Sequence, residues 1–163
     1  MSKRILVLAA VVAVAVSAGG AAAARHAAGT KVVLHKTSLG KVLATSSGLT
    51  LYLYTPDPKG KSVCTGSCAA AWPPLLTKGK PRAGRGVKAR LLGTAKRGGK
   101  LQVTYAGHPL YRYAGDSKAG QTSGEGVGGI WYVLSAGGQK VTGKSDPGGS
   151  GTTTGGGGYG SGY

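Results

Sequence analysis

Apolar positions in the middle of the chain come in short runs, and where they alternate they keep the two-residue period of a strand rather than the period of a helix. Tyr52 and Tyr54 fall on one face of an extended segment and Leu51 and Leu53 on the other; residues 110–113 repeat the arrangement as Leu110, Tyr111, Arg112 and Tyr113. An arginine is seldom buried without a partner, so the tyrosine face is expected to be the core face. Each segment follows another extended stretch, Lys41 to Thr45 and Lys100 to Tyr105. The turns between them are rich in Ser and Gly or read Ala-Gly-His-Pro, which predicts two β-hairpins. Further strands are expected at Val32 to His35, Lys88 to Gly93 and Ile130 to Leu134. The one helical expectation lies in CTGSCAAAWPPLL, where Ser67 caps a short helix through Ala71 that Pro73 and Pro74 must end.

The two tyrosine segments belong to a larger repeat. GLTLYLYTPD, 48–57, returns 59 residues later as GHPLYRYAGD, 107–116. Continued without a gap, the alignment pairs Gly40 with Gly99, Lys41 with Lys100, Trp72 with Trp131, Leu75 with Leu134 and Gly79 with Gly138. A unit of about 40 residues used twice, 40–79 and 99–138, explains this, and units of that size are single supersecondary elements. The fold class expected is therefore mainly β: a small domain over 39–139, made of two tandem hairpin-containing repeats with a short helical turn. A lead-in, 25–38, carries a candidate first strand. Asp57 and Asp116 lie where the strands turn, placed to accept from a tyrosine hydroxyl or from turn amides, which makes them structural. The functional reading is that Tyr52, Tyr54, Asp57, Tyr111, Tyr113 and Asp116, with Trp72 and Trp131, line a site for sugars or cations.

The ends change the compartment. Lys3 and Arg4 precede an apolar run from Ile5 to Val16 and an A-x-A site at Ala22 to Ala24, the pattern of a signal peptide over 1–24. The run falls short of the ~20 apolar residues that span a bilayer, so no transmembrane span is expected once the leader is cleaved. No cysteine stands near the cleavage region to take a lipid. The Gly-, Ser- and Thr-rich tail, 140–163, is expected to be disordered. The localisation that follows is extracellular or in the cell envelope.

Removing the leader takes two of the 21 basic residues, leaving 19 against four acids, a formal charge of +15. Such a balance raises the encounter rate with polyanions. Outside a cell the expected partners are anionic envelope polymers or lipid head groups, with nucleic acid bound only non-specifically, because no groove-reading element accompanies the charge. The densest basic stretch runs from Lys78 to Arg97, and Lys78, Lys80, Arg82, Arg85 and Lys88 are the anion-binding candidates.

Cys64 and Cys68 are the only cysteines. In an exported chain a disulfide is the first reading. A reactive dithiol, or a metal site completed by His108, remains the alternative. No G-x-S-x-G elbow, H-E-x-x-H helix or phosphate-binding loop is present. GEGVGG, 124–129, reads as a loop entering the Trp131 strand rather than as a dinucleotide fingerprint. With Asp57 and Asp116 structural and Asp146 in the tail, Glu125 is the only spare carboxylate for acid–base work. No enzymatic activity and no cofactor are expected.

The tandem Y-x-(F/W/Y)-x-x-D units, CTGSCAAAWPPLLT, GHPLYRYAGD and the closing GVGGIWYV closely resemble the secreted-repeat lipoprotein family of bacteria, over about Gly40 to Gly138. The resemblance implies export, association with the envelope or secretion, two repeats per domain, and a molecular function not established for the family. This chain departs from it in lacking a lipidated cysteine.

Overall fold

Short strands joined by glycine turns follow from the alternation of apolar residues with lysine and threonine. The computed structural model describes residues 29–142. In chain order the elements are β1 (Lys31–Thr37), β2 (Gly40–Thr45), β3 (Tyr52–Tyr54), α1 (Gly66–Ala71), β4 (Leu76–Thr77), β5 (Arg82–Ala83), β6 (Leu92–Arg97), β7 (Lys100–Tyr105), β8 (His108–Pro109) and β9 (Trp131–Val133). Single 3-10 turns stand at Ala89–Leu91 and Val127–Gly129. No helix among the described residues is long and apolar enough to cross a membrane.

Two antiparallel hairpins frame the molecule, each one strand upstream of the hairpin expected; the expected pairings of 41–45 and 100–105 with the tyrosine segments shrink to the Ala44↔Thr50 bridge and to β8. β1 and β2 pair from Val32↔Thr45 to Thr37↔Gly40, and β6 and β7 from Leu92↔Tyr105 to Arg97↔Lys100. The second hairpin turns through Gly98 and Gly99 at φ 49° and 74°. A two-residue turn of this hand suits the right-handed twist of the strands and needs left-handed backbone at both positions, which glycine alone adopts without cost. β5 adds to β1 in parallel, while β4 and β8 add to β7.

Between the hairpins the two repeats cross. Tyr52 and Tyr111 exchange both backbone hydrogen bonds, at 2.9 and 3.0 Å. On the outer side of β3 lies β9 of the second repeat, in register Tyr52↔Val133 to Tyr54↔Trp131. On the outer side of Tyr111 lies the Trp72–Leu75 segment of the first: Arg112 donates to the Pro73 carbonyl and Leu75 to the Leu110 carbonyl, both at 2.9 Å. Each tyrosine strand is thus held by the tryptophan segment of the other unit, about a pseudo-two-fold axis through the Tyr52–Tyr111 pair.

The ungapped alignment holds from the tyrosine strands onward but slips by one residue before them. The Ala44↔Thr50 bridge encloses five residues, whereas the matching Thr104↔Pro109 pair encloses four. Gly40 therefore corresponds to Lys100, and Val42 to Gln102. One residue in a turn reverses the face of every upstream side chain when strands are compared by sequence alone.

Both faces of the first tyrosine strand are buried, not the tyrosine face alone. Leu51, Leu53 and Leu110 pack with Val32, Leu43 and Val103 on the hairpin side. Tyr52 and Tyr111 pack with Val42, Trp72, Trp131 and Val133 on the other. Arg112 is exposed, as its charge requires.

Three local expectations shift. The strand expected over Lys88 to Gly93 begins at Leu92, because Leu91 donates to the Lys88 carbonyl and closes a 3-10 turn first. The position before α1 is Thr65, extended at φ −128°, so Ser67 lies inside the helix and caps nothing. The folded chain runs past residue 139, since Val141 donates to the Val133 carbonyl at 3.0 Å. The expected signal peptide, 1–24, and the rest of the expected tail lie outside the described residues.

Candidate functional site

The crossing of the repeats brings the tyrosines and aspartates of the motif together, but never within one unit. The Tyr52 hydroxyl donates to Asp116 Oδ2 and the Tyr111 hydroxyl to Asp57 Oδ2, each at 2.5 Å. The second carboxylate oxygens close the turns: Asp57 Oδ1 accepts from the Val63 amide at 2.7 Å and Asp116 Oδ1 from the Ser123 amide at 3.0 Å. Both tyrosines are wholly buried, and both aspartates nearly so. Burial first, and the hydrogen bond to the aspartate second, push both phenols well above the ordinary tyrosine range, so each holds its proton.

Around these pairs the remaining aromatics form a column. Tyr54 stacks on Trp131 with centroids 4.4 Å apart, Trp131 on Trp72 at 3.9 Å and 4°, and Trp72 on Tyr113 at 4.3 Å. Tyr52 meets Trp72 edge-on at 5.4 Å and Tyr111 meets Trp131 edge-on at 5.2 Å. All eight residues singled out in the repeat motif thus share one site, whose middle is dry and whose ends, Tyr54 and Tyr113, are half-buried. The packing leaves no room at Gly124, where a Cβ would lie 2.7 Å from the Trp72 ring.

The site also holds residues the sequence did not single out. Ser62 Oγ lies 2.6 Å from the Tyr111 hydroxyl, and the Arg97 guanidinium donates to Ser62 Oγ and to the Cys64 carbonyl. Gln102, fully buried in the place of Val42, donates to the Leu110 carbonyl at 2.9 Å. An arginine at a strand end and a glutamine among apolar residues carry no spacing that points to this network. Glu125 is not spare: its Oε2 accepts from the Val133 amide at 2.6 Å. Burial pushes its carboxyl upward and that amide pulls it back.

Cys64 and Cys68 are bonded to each other, with Cα atoms 5.3 Å apart, beside Trp72 in the aromatic cluster. The bond occupies both sulfurs that the dithiol and metal alternatives need. Among the described residues no group of three or more His, Cys, Asp or Glu is placed to hold a metal ion. His108 is half-buried near Lys59 and Asp57; burial and then the Lys59 charge lower its pKa, favouring the neutral ring.

The basic candidates stand elsewhere. Lys78, Lys80, Arg82, Arg85 and Lys88 are all exposed along the segment that carries β5. Arg82 pairs with Lys31 of β1 and its Nε donates to the Gly29 carbonyl at 3.2 Å. Only Lys78 of the five lines the open groove of about 810 Å³ formed with Thr30, Leu76, Thr77, Gly99, Lys100 and Leu101.

The family model described as a secreted repeat of unknown function matches residues 33–76 and 94–135. The two matches begin inside β1 and at β6, so each covers one hairpin and the tyrosine and tryptophan segments that follow it. Neither the curated proteins nor the solved structures contain a match to the chain.

Proposed function

From the premise that the chain belongs to this family of secreted repeats, we propose that it is a non-enzymatic protein of the cell exterior that holds anionic envelope polymers or lipid head groups. The observation that carries this reading is where the acids point. Asp57 and Asp116 give both oxygens to hydroxyls and amides, and Glu125 gives Oε2 to an amide. Among the described residues the three acids are thus committed within the fold, and the exposed lysines and arginines there present their charge to any polyanion that arrives. With a Debye length of about 8 Å at physiological salt, contact between such charges and a polymer is short-ranged and salt-sensitive.

The segment from Lys78 to Lys88 offers the densest run of these charges, with Lys31 and Lys100 beside it. Replacing Lys80, Arg82, Arg85 and Lys88 by serine touches no core residue. Retention on isolated cell envelopes is expected to weaken at low salt and to lose much of its salt dependence. Unchanged retention at low salt overturns the reading. The same assay with anionic and neutral lipid vesicles separates head groups from wall polymers.

A further inference from the structure

The chain has no phenylalanine, and the aromatic side of its core is filled by tyrosine and tryptophan, which give up one electron far more readily. Six of these rings touch in one array. The column Tyr54–Trp131–Trp72–Tyr113 never opens beyond 4.4 Å between successive centroids. Its ends are half-buried, while its two indoles are only 5% and 3% exposed. Tyr52 and Tyr111 stand edge-on to the indoles, and the hydroxyl of each faces a carboxylate oxygen at 2.5 Å.

We propose that this array is a relay for one-electron oxidation, in which a hole entering at Tyr54 or Tyr113 passes through the stacked indoles and comes to rest on Tyr52 or Tyr111. The oxidant class is an oxygen-centred radical such as an alkylperoxyl. Meeting an end of the column, it takes one electron from the indole pair through Tyr54 or Tyr113 and one proton from water, and leaves as a hydroperoxide with hydroxide released to the solvent. The indole radical cation then takes one electron from the adjacent phenol, whose O–H proton crosses to the carboxylate. The O–H bond of tyrosine breaks and that of the aspartic acid forms, giving a neutral tyrosyl radical, a neutral acid and an intact indole. A buried positive and a buried negative charge vanish together, so desolvation favours the step. A diffusible thiolate reverses it, giving one electron and becoming a thiyl radical while Asp57 or Asp116 returns the proton. Ring packing accounts for the column alone. Burial of the two edge-on phenols calls for a hydrogen-bond acceptor, but not for an ionisable carboxylate able to take the proton, nor for a column whose two ends both reach partway to solvent.

Flash oxidation of the intact, disulfide-bonded chain with a soluble ruthenium(III) polypyridyl complex tests this, with transient absorption and electron paramagnetic resonance as readouts. An indole radical is expected first, converting to tyrosyl with a rate slowed in deuterated water. In the Tyr52→Phe/Tyr111→Phe chain the indole radical is expected to persist roughly tenfold longer, the factor that about 1.4 kcal/mol of added barrier implies. An indole lifetime unchanged in that chain overturns the relay. Should the double variant fail to fold, Asp57→Asn and Asp116→Asn are each expected to lower the tyrosyl yield, and an unchanged yield in both overturns the relay equally.

Discussion

Whether each tyrosine depends on the aspartate of its own unit or of the other is decided by a pair of double-mutant cycles. Tyr52→Phe leaves Asp116 Oδ2 without its hydroxyl donor in a residue only 7% exposed, and removes the oxygen that the Gly124 amide reaches at 3.3 Å. A hydrogen bond to a charged group contributes about 1.5–3 kcal/mol, so a loss of about 2 kcal/mol is expected. Asp116→Ala strands the wholly buried Tyr52 hydroxyl and the Ser123 amide together. At about 1–3 kcal/mol for each unpaired group, that costs roughly 3 kcal/mol or more. The two changes remove the same bond, so the double variant should fall short of their sum by about 1.5–3 kcal/mol. The cycle of Tyr52→Phe with Asp57→Ala, within one repeat, shares no hydrogen bond and should close to about 0.5 kcal/mol. Urea unfolding under non-reducing conditions reads all of these, since a loss of 2–3 kcal/mol moves the midpoint by about 1–2 M at m-values of about 1.5–2 kcal/mol/M. Coupling within the repeat, with none across it, refutes the crossed arrangement.

Alkaline stability follows from the two raised phenols. A group whose folded pKa lies above its unfolded value contributes fully below the unfolded pKa and loses that contribution as pH rises, so above about pH 10 stability should fall by about 2.7 kcal/mol per pH unit for the pair. Phenolate absorbance should report their ionisation only together with unfolding, and the slope should flatten in the Tyr52→Phe/Tyr111→Phe chain; ionisation in the folded state counts against the burial argument. Reducing Cys64–Cys68 opens a loop of separation 4, for which chain entropy gives a loss of about 2 kcal/mol. The reduced chain should therefore remain folded, as measured by urea midpoint with and without a phosphine reductant, and complete unfolding on reduction would mean that the bond holds more than its own loop. Finally, the first unit expressed alone lacks the β9 partner of its tyrosine strand, so it should be unfolded when dilute and gain β structure only with concentration, as two copies exchange segments; a folded monomer by sedimentation refutes the crossing.

The chain's alternation and its internal repeat were enough to predict a mainly β domain of two repeats, though not which strands form its hairpins, and the Trp72–Trp131 correspondence proved to be a direct ring contact. The crossing was hidden for a definite reason. When Tyr52 and Tyr111 occupy equivalent positions, and Asp57 and Asp116 likewise, own-unit and other-unit pairing produce the same sequence pattern. The pairing of β3 with β9, and of Tyr111 with the Trp72–Leu75 segment, distinguishes them. The one-residue slip was hidden because Gly40 and Lys41 happen to match Gly99 and Lys100 by identity, although the hairpin register matches Gly40 to Lys100. Arg112 correctly marked its own position as exposed, but not its face, since Leu110 on the same side is fully buried. It misled for the first, where Leu51 and Leu53 are covered by the hairpin residues.

The charge of the chain and the architecture of its core are linked by the same few carboxylates. A duplicated unit that needs an aspartate to satisfy a buried tyrosine and to close a turn uses one acid per copy inside the fold. Glu125 serves the β9 amide in a comparable way. Acids committed to buried hydroxyls and amides still count in the net charge, yet their fields are spent locally, so the solvent-facing surface is more basic than the composition alone suggests. Mutating a surface lysine should therefore alter adhesion without disturbing the core, whereas neutralising Asp57 or Asp116 should disturb the core while adding little to adhesion. The basic surface and the aromatic interior are consequently separable by mutation, and a function carried by one leaves the other free for a second.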